Sequence, residues 1–436
     1  MKNYRFYTQA LGLNMVWNGY PITIILRDGL GISIGGDGVF IAIFWTIGLF
    51  LLIPLNIFQR IYLPNKILSF FWLSFMILCF IYLNYYTAHN YYYRITDLRE
   101  TLNYLFPLLF LFGLLYYPNE HVDKILPVTV LFTLAGSLLM AYIVFSNPSF
   151  NLGERVAVKY ANTQNTTTNP HPFANNAVRC IIAAVLCSFM TKNILLKILN
   201  YFIVILSIGI LFLTRTNTSL YGMVVIIFIF LFFGMFRINF RKIKFSTLAS
   251  LGVVLYAVNF ALQHSAKYKL LIDIYWGQIS FRFFNIVYTV FGIRVGGGQR
   301  EVIEDSSSMG RVTSLNYVKE MLKENSFLDI SMGEGYRSQF LDVPVLEAFT
   351  NHGVLGFVLY SLFFISMGVF VAKELFIPTT KMATFLAYFS IIIFLNVLTG
   401  STVVDTGNWM SFMPFIRFLG IKYYETPSLS PSISTS

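Results

Sequence analysis

Runs of about twenty apolar residues recur along this chain, and no other feature limits its fold as strongly. KILSFFWLSFMILCFIYLNY and ILLKILNYFIVILSIGILFL are two of them. A helix needs about 20 such residues to cross a bilayer core. In lipid the backbone must satisfy its own hydrogen bonds, so segments of this kind fold as helices. Segmenting at that length predicts twelve spans, at about 10 to 26, 38 to 58, 67 to 86, 101 to 117, 125 to 146, 174 to 190, 194 to 213, 217 to 236, 246 to 263, 352 to 372, 382 to 400 and 408 to 424. Only 12% of the residues are charged, against about 25% in ordinary soluble domains. The expected fold class is an all-α polytopic membrane protein.

The net charge of +11 would point to nucleic acid in a soluble protein. Here the basic residues set topology instead. Lys2 and Arg5, Arg60 and Lys66, Lys124, Lys192 and Lys197, the RINFRKIK segment, and Lys373 with Lys381 fall on alternate loops. Short cytoplasmic loops are rich in Lys and Arg, so both termini are expected on the cytoplasmic side. Cys79, Cys180 and Cys187 lie inside apolar segments without a CxxC or clustered histidines, which gives neither a disulfide framework nor a zinc site. The basic N-terminus lacks a small-residue cleavage site and reads as a retained first span.

That orientation sends two long hydrophilic segments to the outer face, residues 147–173 and 264–351. The chain then divides into a bundle over 1–263, a helical outer loop over 264–351, three C-terminal spans over 352–424, and a cytoplasmic tail over 425–436. Loops longer than about 15 residues are usually functional or disordered, and the second is too aromatic for disorder. Within it, Leu270 to Arg294 suits a helix lying at the membrane interface. After the Gly-rich RVGGGQR, the segment SSSMGRVTSLNYVKEMLKEN predicts a helix capped by Ser307 or Ser308, with Val312, Leu315, Val318 and Leu322 on one apolar face and Arg311, Ser314 and Lys319 in more polar surroundings.

Several charges lie where hydropathy alone would not put them. Arg179 is inside a span, Arg215 stands between two spans, and Arg417 is inside the last. An intramembrane arginine is normally paired or faces a wet cavity. At an outer edge, Arg215 can alternatively snorkel to lipid headgroups. The stretch MGEGYRSQFLDVPVLEAFTNHGVLG collects Glu334, Arg337, Asp342, Glu347 and His352 ahead of an apolar run. Gly333 and Gly335 permit a tight turn. Asp342 before Pro344 reads as an acidic cap opening a helix. From Asp342 to Glu347 is about 140° around a helix, so the two carboxylates do not share a face as a glycosidase pair would. Either can still act as a lone base. His352 reads as structural, with no second His or Cys at ligand spacing. DxD, HExxH, P-loop and GxGxxG patterns are absent from the sequence.

A dozen spans, a large outer loop before the third-last span, Arg215 in LTRTNTS, Arg311 in MGRVTSLNYVKEML, and the Gly-rich turn followed by LDVPVLEAFTNHGVLGFVLY together resemble the O-antigen polymerase and O-antigen ligase superfamily. The likeness covers roughly Ala174 to Tyr360. Ligases carry a His-Asn pair eleven residues before the glycine of the next span; here that position is Asp342, followed by Val343. The first glycine of the family's G-x-G turn is replaced by Ser331. The polymerase branch, of the Wzy type, is therefore favoured.

The resemblance implies a GT-C-like fold and a metal-independent glycosyltransferase of surface-polysaccharide or lipopolysaccharide biosynthesis, in a bacterial inner membrane with its site facing the periplasm. A growing glycan would pass from undecaprenyl diphosphate onto a lipid-linked repeat unit. No cofactor is implied; the partners would be those lipid-linked oligosaccharides, membrane lipid and a chain-length regulator, and not nucleic acid. On this reading Arg215 and Arg311 hold the diphosphate with Arg179 or Arg337 assisting, because guanidinium matches phosphate oxygens at any pH. Asp342 or Glu347 orients or deprotonates the acceptor hydroxyl. The aromatic helix around Trp276 guides the polyprenyl tail or gates its groove. The alternatives are a ligase using lipid A core as acceptor and a transporter of lipid-linked oligosaccharide or polysaccharide. Transporters are often built from two repeated halves, whereas this chain is asymmetric.

Overall fold

A computed structural model describes residues 2–32, 37–54, 60–85, 97–146, 170–214, 216–234, 277, 306–399 and 402–421. Arg215, the expected span at 246–263, the interfacial helix at Leu270–Arg294, most of the 147–173 loop and the 425–436 tail lie outside the described residues. The described residues are helical, with no β-strand among them. Among the described residues, five helices are long and apolar enough to cross a membrane: Lys66–Tyr85 (with α1 Lys2–Asn18, α2 Tyr20–Ile24 and α3 Asp37–Leu52 before it, this is α4), α6 Ile125–Ser146 with its lead-in from Asn119, α7 His171–Met190, α8 Ile194–Thr214, and the long helix Pro344–Phe376. Between α4 and α6 lies α5, Asp97–Leu114. Asn217–Ile229 follows as α9, then Ser306–Glu324 as α10, Phe327–Met332 as α11, Pro344–Phe376 as α12, Lys381–Thr399 as α13 and Thr406–Phe418 as α14. The chain is a helical protein embedded in a membrane.

Helix α7 is the hub, packing against α6, α8, α9 and α13. Its small residues Ala174, Ala177, Ala183 and Ala184 are completely buried. Lipid tails are as apolar as leucine, so helices associate here through close van der Waals approach, which small side chains permit. Helix α8 shows the opposite: Leu195, Ile198, Phe202 and Ile205 point outward. Such side chains belong against acyl chains.

At one end of the bundle, α12 meets α4 while α14 meets α5. Trp72 and Phe75 of α4, Tyr360 and Phe363 of α12, and Trp409 and Phe412 of α14 enclose a small aromatic cavity there. The expected span at 352–372 begins earlier, at Pro344, and is broken: Gly353 has φ 63° and ψ −161°, far from helical values. Val343 rather than Asp342 is the cap residue, because Pro344 occupies the first turn. The apolar face of α10 also differs from expectation. Ser314, Val318 and Met321 are buried, whereas Val312, Leu315 and Leu322 are 46%, 46% and 51% exposed. A hydrogen bond decides this: the Ser314 hydroxyl accepts from the Asp342 amide at 3.1 Å while donating to the Gly310 carbonyl at 2.7 Å.

Candidate functional site

A helix broken inside a membrane protein frees backbone groups that must find partners in protein or water. The break in α12 leaves the carbonyls of Thr350 and Asn351 available, and the turn after α11 takes them. The Glu334 amide donates to Thr350 at 2.8 Å and the Gly335 amide to Asn351 at 3.1 Å. The two backbones cross so closely that a Cβ on Gly333 would collide with the Gly353 nitrogen, and one on Gly353 with the Ser331 carbonyl. Both glycines have positive φ, 75° and 63°. Gly333 and Gly335 thus form the expected turn, and the turn completes a helix break that the sequence did not announce.

The Asn351 side chain extends the crossing. Its oxygen accepts from the Ser338 hydroxyl at 2.7 Å and the Gln339 amide at 3.1 Å, and its nitrogen donates to the Gln339 carbonyl at 3.0 Å. The Tyr82 phenol of α4 donates to the Met332 carbonyl at 2.6 Å, fixing α11 to the end of a spanning helix. Tyr317 of α10 donates to the Glu334 carboxylate, at 2.7 Å and 2.8 Å to its two oxygens. Burial first, and the hydrogen bond to Glu334 next, raise the Tyr317 phenol above the usual tyrosine range, so it stays a donor.

Arg337 has φ 51°, a conformation non-glycine residues adopt at a cost. Two contacts hold it there. Its guanidinium makes a 2.7 Å ion pair with Glu100 of α5 and donates to the Val404 carbonyl at 2.7 Å. Glu100 is 3% exposed and accepts a further bond, 2.8 Å from the Tyr336 phenol, whose oxygen lies 3.2 Å from that of Tyr104. Burial raises the Tyr336 phenol well above its ordinary value, keeping it protonated toward Glu100. Arg337, expected as a supporting cation for phosphate, already has a carboxylate partner.

Asp342 and Glu347 part company. Asp342 is half-buried, with its carboxylate pressed on Gly310, the residue before Arg311. Glu347 is 2% exposed and its Oε2 has no hydrogen-bond partner. His352 is fully buried among Phe75, Tyr82 and Tyr336, with ring centroids 5.8, 5.2 and 6.3 Å away, and neither of its nitrogens has a hydrogen-bond partner.

Arg179 sits in a separate set of contacts. One of its nitrogens donates to the Trp17 carbonyl at 3.0 Å and to the Asn18 side chain at 2.6 Å, and another reaches Ser411 at 3.4 Å. The guanidinium carbon lies 4.4 Å from the ring centre of Phe389 and 5.1 Å from that of Trp17, cation–π geometry that offsets burial. Arg417 donates to the carbonyls of Leu114 and Tyr117 and to the Asn119 side chain. Of the candidates, the structure thus sets the Asp342 carboxylate against Gly310, the residue before Arg311, pairs Arg337 with Glu100, and gives Arg179 other neighbours. Sequence reasoning missed Glu100, Tyr104, Tyr82, Tyr317 and Tyr336. Glu100 alone carried a signal, as an acid immediately before the apolar TLNYLFPLLFLF.

Among the described residues, no group of three or more His, Cys, Asp or Glu is arranged to hold a metal ion. No protein-family model matches the chain, and no curated protein matches it.

Proposed function

We propose that this chain is a surface-polysaccharide polymerase, with about twelve spans and a site on the periplasmic side of a bacterial inner membrane. One observation carries the reading: the half-buried Asp342 carboxylate lies against Gly310, next to Arg311. That juxtaposition supports a base and a phosphate-binding cation working at one place. The acceptor hydroxyl oxygen bonds to the anomeric carbon of the donor glycan, and its proton passes to Asp342. The bond from that carbon to the diphosphate breaks, and undecaprenyl diphosphate leaves with the electron pair. Arg311, with Arg215, stabilises the charge that develops on the leaving oxygen. Arg337 holds the turn through Glu100 rather than meeting the substrate. Glu347, almost wholly enclosed, is the weaker choice of base.

The transporter reading has one observation in its favour, the broken α12, since discontinuous helices are common at transport sites. One reconstitution separates the readings. Vesicles holding the full chain receive lipid-linked units extracted from host cells that lack it. A ladder of longer products that disappears in Arg311→Ala and Asp342→Asn, with both variants still in the membrane, supports polymerisation. A ladder that persists in both variants rejects these roles, and movement of substrate across the membrane without longer products rejects the reaction. Glycan joined to added lipid A core instead identifies a ligase.

A further inference from the structure

Helices α10 and α11 form a hairpin whose outward side is strongly apolar. Phe327 is 85% exposed and Leu328 70%, at the start of α11, and Met332 at its end is 46% exposed. On α10, at about 100° per residue, Leu322, Leu315, Lys319 and Val312 fall within an arc of about 80°, away from the buried Ser314, Val318 and Met321. Lys323 borders this arc, and Glu320 and Glu324 lie about 60° to 100° beyond Lys323; all three are exposed. Helix α10 therefore has a buried face, an exposed apolar stripe with Lys319 within it and Lys323 along one edge, and an acidic side turned from the stripe. Helices with a lysine-flanked apolar stripe lie in the headgroup layer, where lysine stems snorkel toward phosphate.

Position supports the same occupant. Tyr82, which bonds Met332, stands one turn from the end of the spanning helix α4. Helix α11 has six residues, so Phe327 is about 7.5 Å along the helix from that anchor, comparable to the thickness of one interfacial layer. Tyr85, at the end of α4, is itself 86% exposed, and Ile81 and Ile77 continue the exposed apolar surface down that helix.

We propose that the α10–α11 hairpin is an interfacial anchor, inserting Phe327, Leu328, Leu315 and Leu322 into the headgroup layer of an anionic bilayer, with Lys319 and Lys323 on lipid phosphates. It does not depend on the polymerase reading. The test is spin-label depth measurement on the full chain in vesicles of phosphatidylethanolamine and phosphatidylglycerol. The native cysteines are buried, and protein without an introduced cysteine serves as the blank. Labels on Leu315→Cys, Leu322→Cys, Phe327→Cys and Leu328→Cys are expected to collide with oxygen over a water-soluble nickel complex at a ratio about threefold above those on Glu320→Cys and Glu324→Cys. In phosphatidylcholine vesicles the ratio at 315 and 322 should fall. Equal ratios at all six positions would place the hairpin in water and overturn the proposal. Labels at 327 and 328 that reach neither oxygen nor nickel would mean a protein contact and overturn it too, and a ratio indifferent to lipid charge overturns the role of the lysines.

Discussion

Helix α12 carries two buried glutamates, one on each side of its long apolar stretch, and the molecule treats them differently. Glu374 is fully buried, and its two oxygens accept from the Thr379 amide and hydroxyl at 2.7 Å each and from the Thr384 hydroxyl at 3.1 Å. Glu347 is 2% exposed with one oxygen left unpartnered, beside a helix break. Buried polar groups are normally satisfied, and an exception calls for an explanation of its own. The Glu374 end is finished as structure: it fastens the turn into α13, where Asp123 also accepts from the Met382 amide at 3.0 Å. The Glu347 end is held by backbone crossing and ion pairing around groups left unmatched. Polar side chains at the first end are paired with their neighbours; at the second, one Glu347 oxygen and both His352 nitrogens are not.

Substitutions can break this contrast in order of size. Gly353→Ala should do most, because a Cβ there meets the Ser331 carbonyl in a conformation with φ 63°; strain and overpacking together cost about 4 kcal/mol. Thermal unfolding in detergent should show it as loss of the monodisperse, folded fraction. Glu100→Ala leaves Arg337 beside an emptied site and should cost about 3 kcal/mol. Pairing it with Arg337→Ala in a double-mutant cycle should recover part of that loss; strict additivity would show that the ion pair does not couple the turn to α5.

The two glutamates supply the direct comparison. Glu374→Gln replaces an oxygen that accepts bonds and should lower stability by about 2 kcal/mol, whereas Glu347→Gln should change it by less than about 1 kcal/mol. Equal losses in paired melts would erase the distinction. The smallest effect is expected at Gly209 of α8, where an added Cβ meets nothing within 4 Å; Gly209→Ala should stabilise by about 0.5 kcal/mol and leave every other property alone.

The helical class and the apolar segments were legible because they depend on local composition and length. Lys66–Tyr85, His171–Met190 and Ile194–Thr214 fall almost where the bilayer criterion placed them. The turn at Gly333 and Gly335 was legible too, since glycine pairs mark such turns. The break at Gly353 was not: a lone glycine in an apolar run is usually tolerated inside a helix, and here a crossing backbone imposes the break. The Glu100–Arg337 pair joins residues 237 positions apart, so no spacing rule could reveal it. Asp342 as a helix cap was a local inference undone by a distant contact: its carboxylate lies against Gly310 of α10, and Val343 takes the cap position. The buried side of α10 was misread for the same reason, because docking onto the 338–343 segment outweighed the helix's own apolar pattern.

The break in α12 also bears on how such a chain is made. Residues 354–376 measure about 35 Å as a helix, enough to cross a bilayer unaided. The segment 344–352 is thereby relieved of any part in spanning. The carbonyls freed by the break belong to Thr350 and Asn351, whose donors at 334 and 335 are synthesised earlier. The receiving turn leaves the ribosome before the groups it will receive.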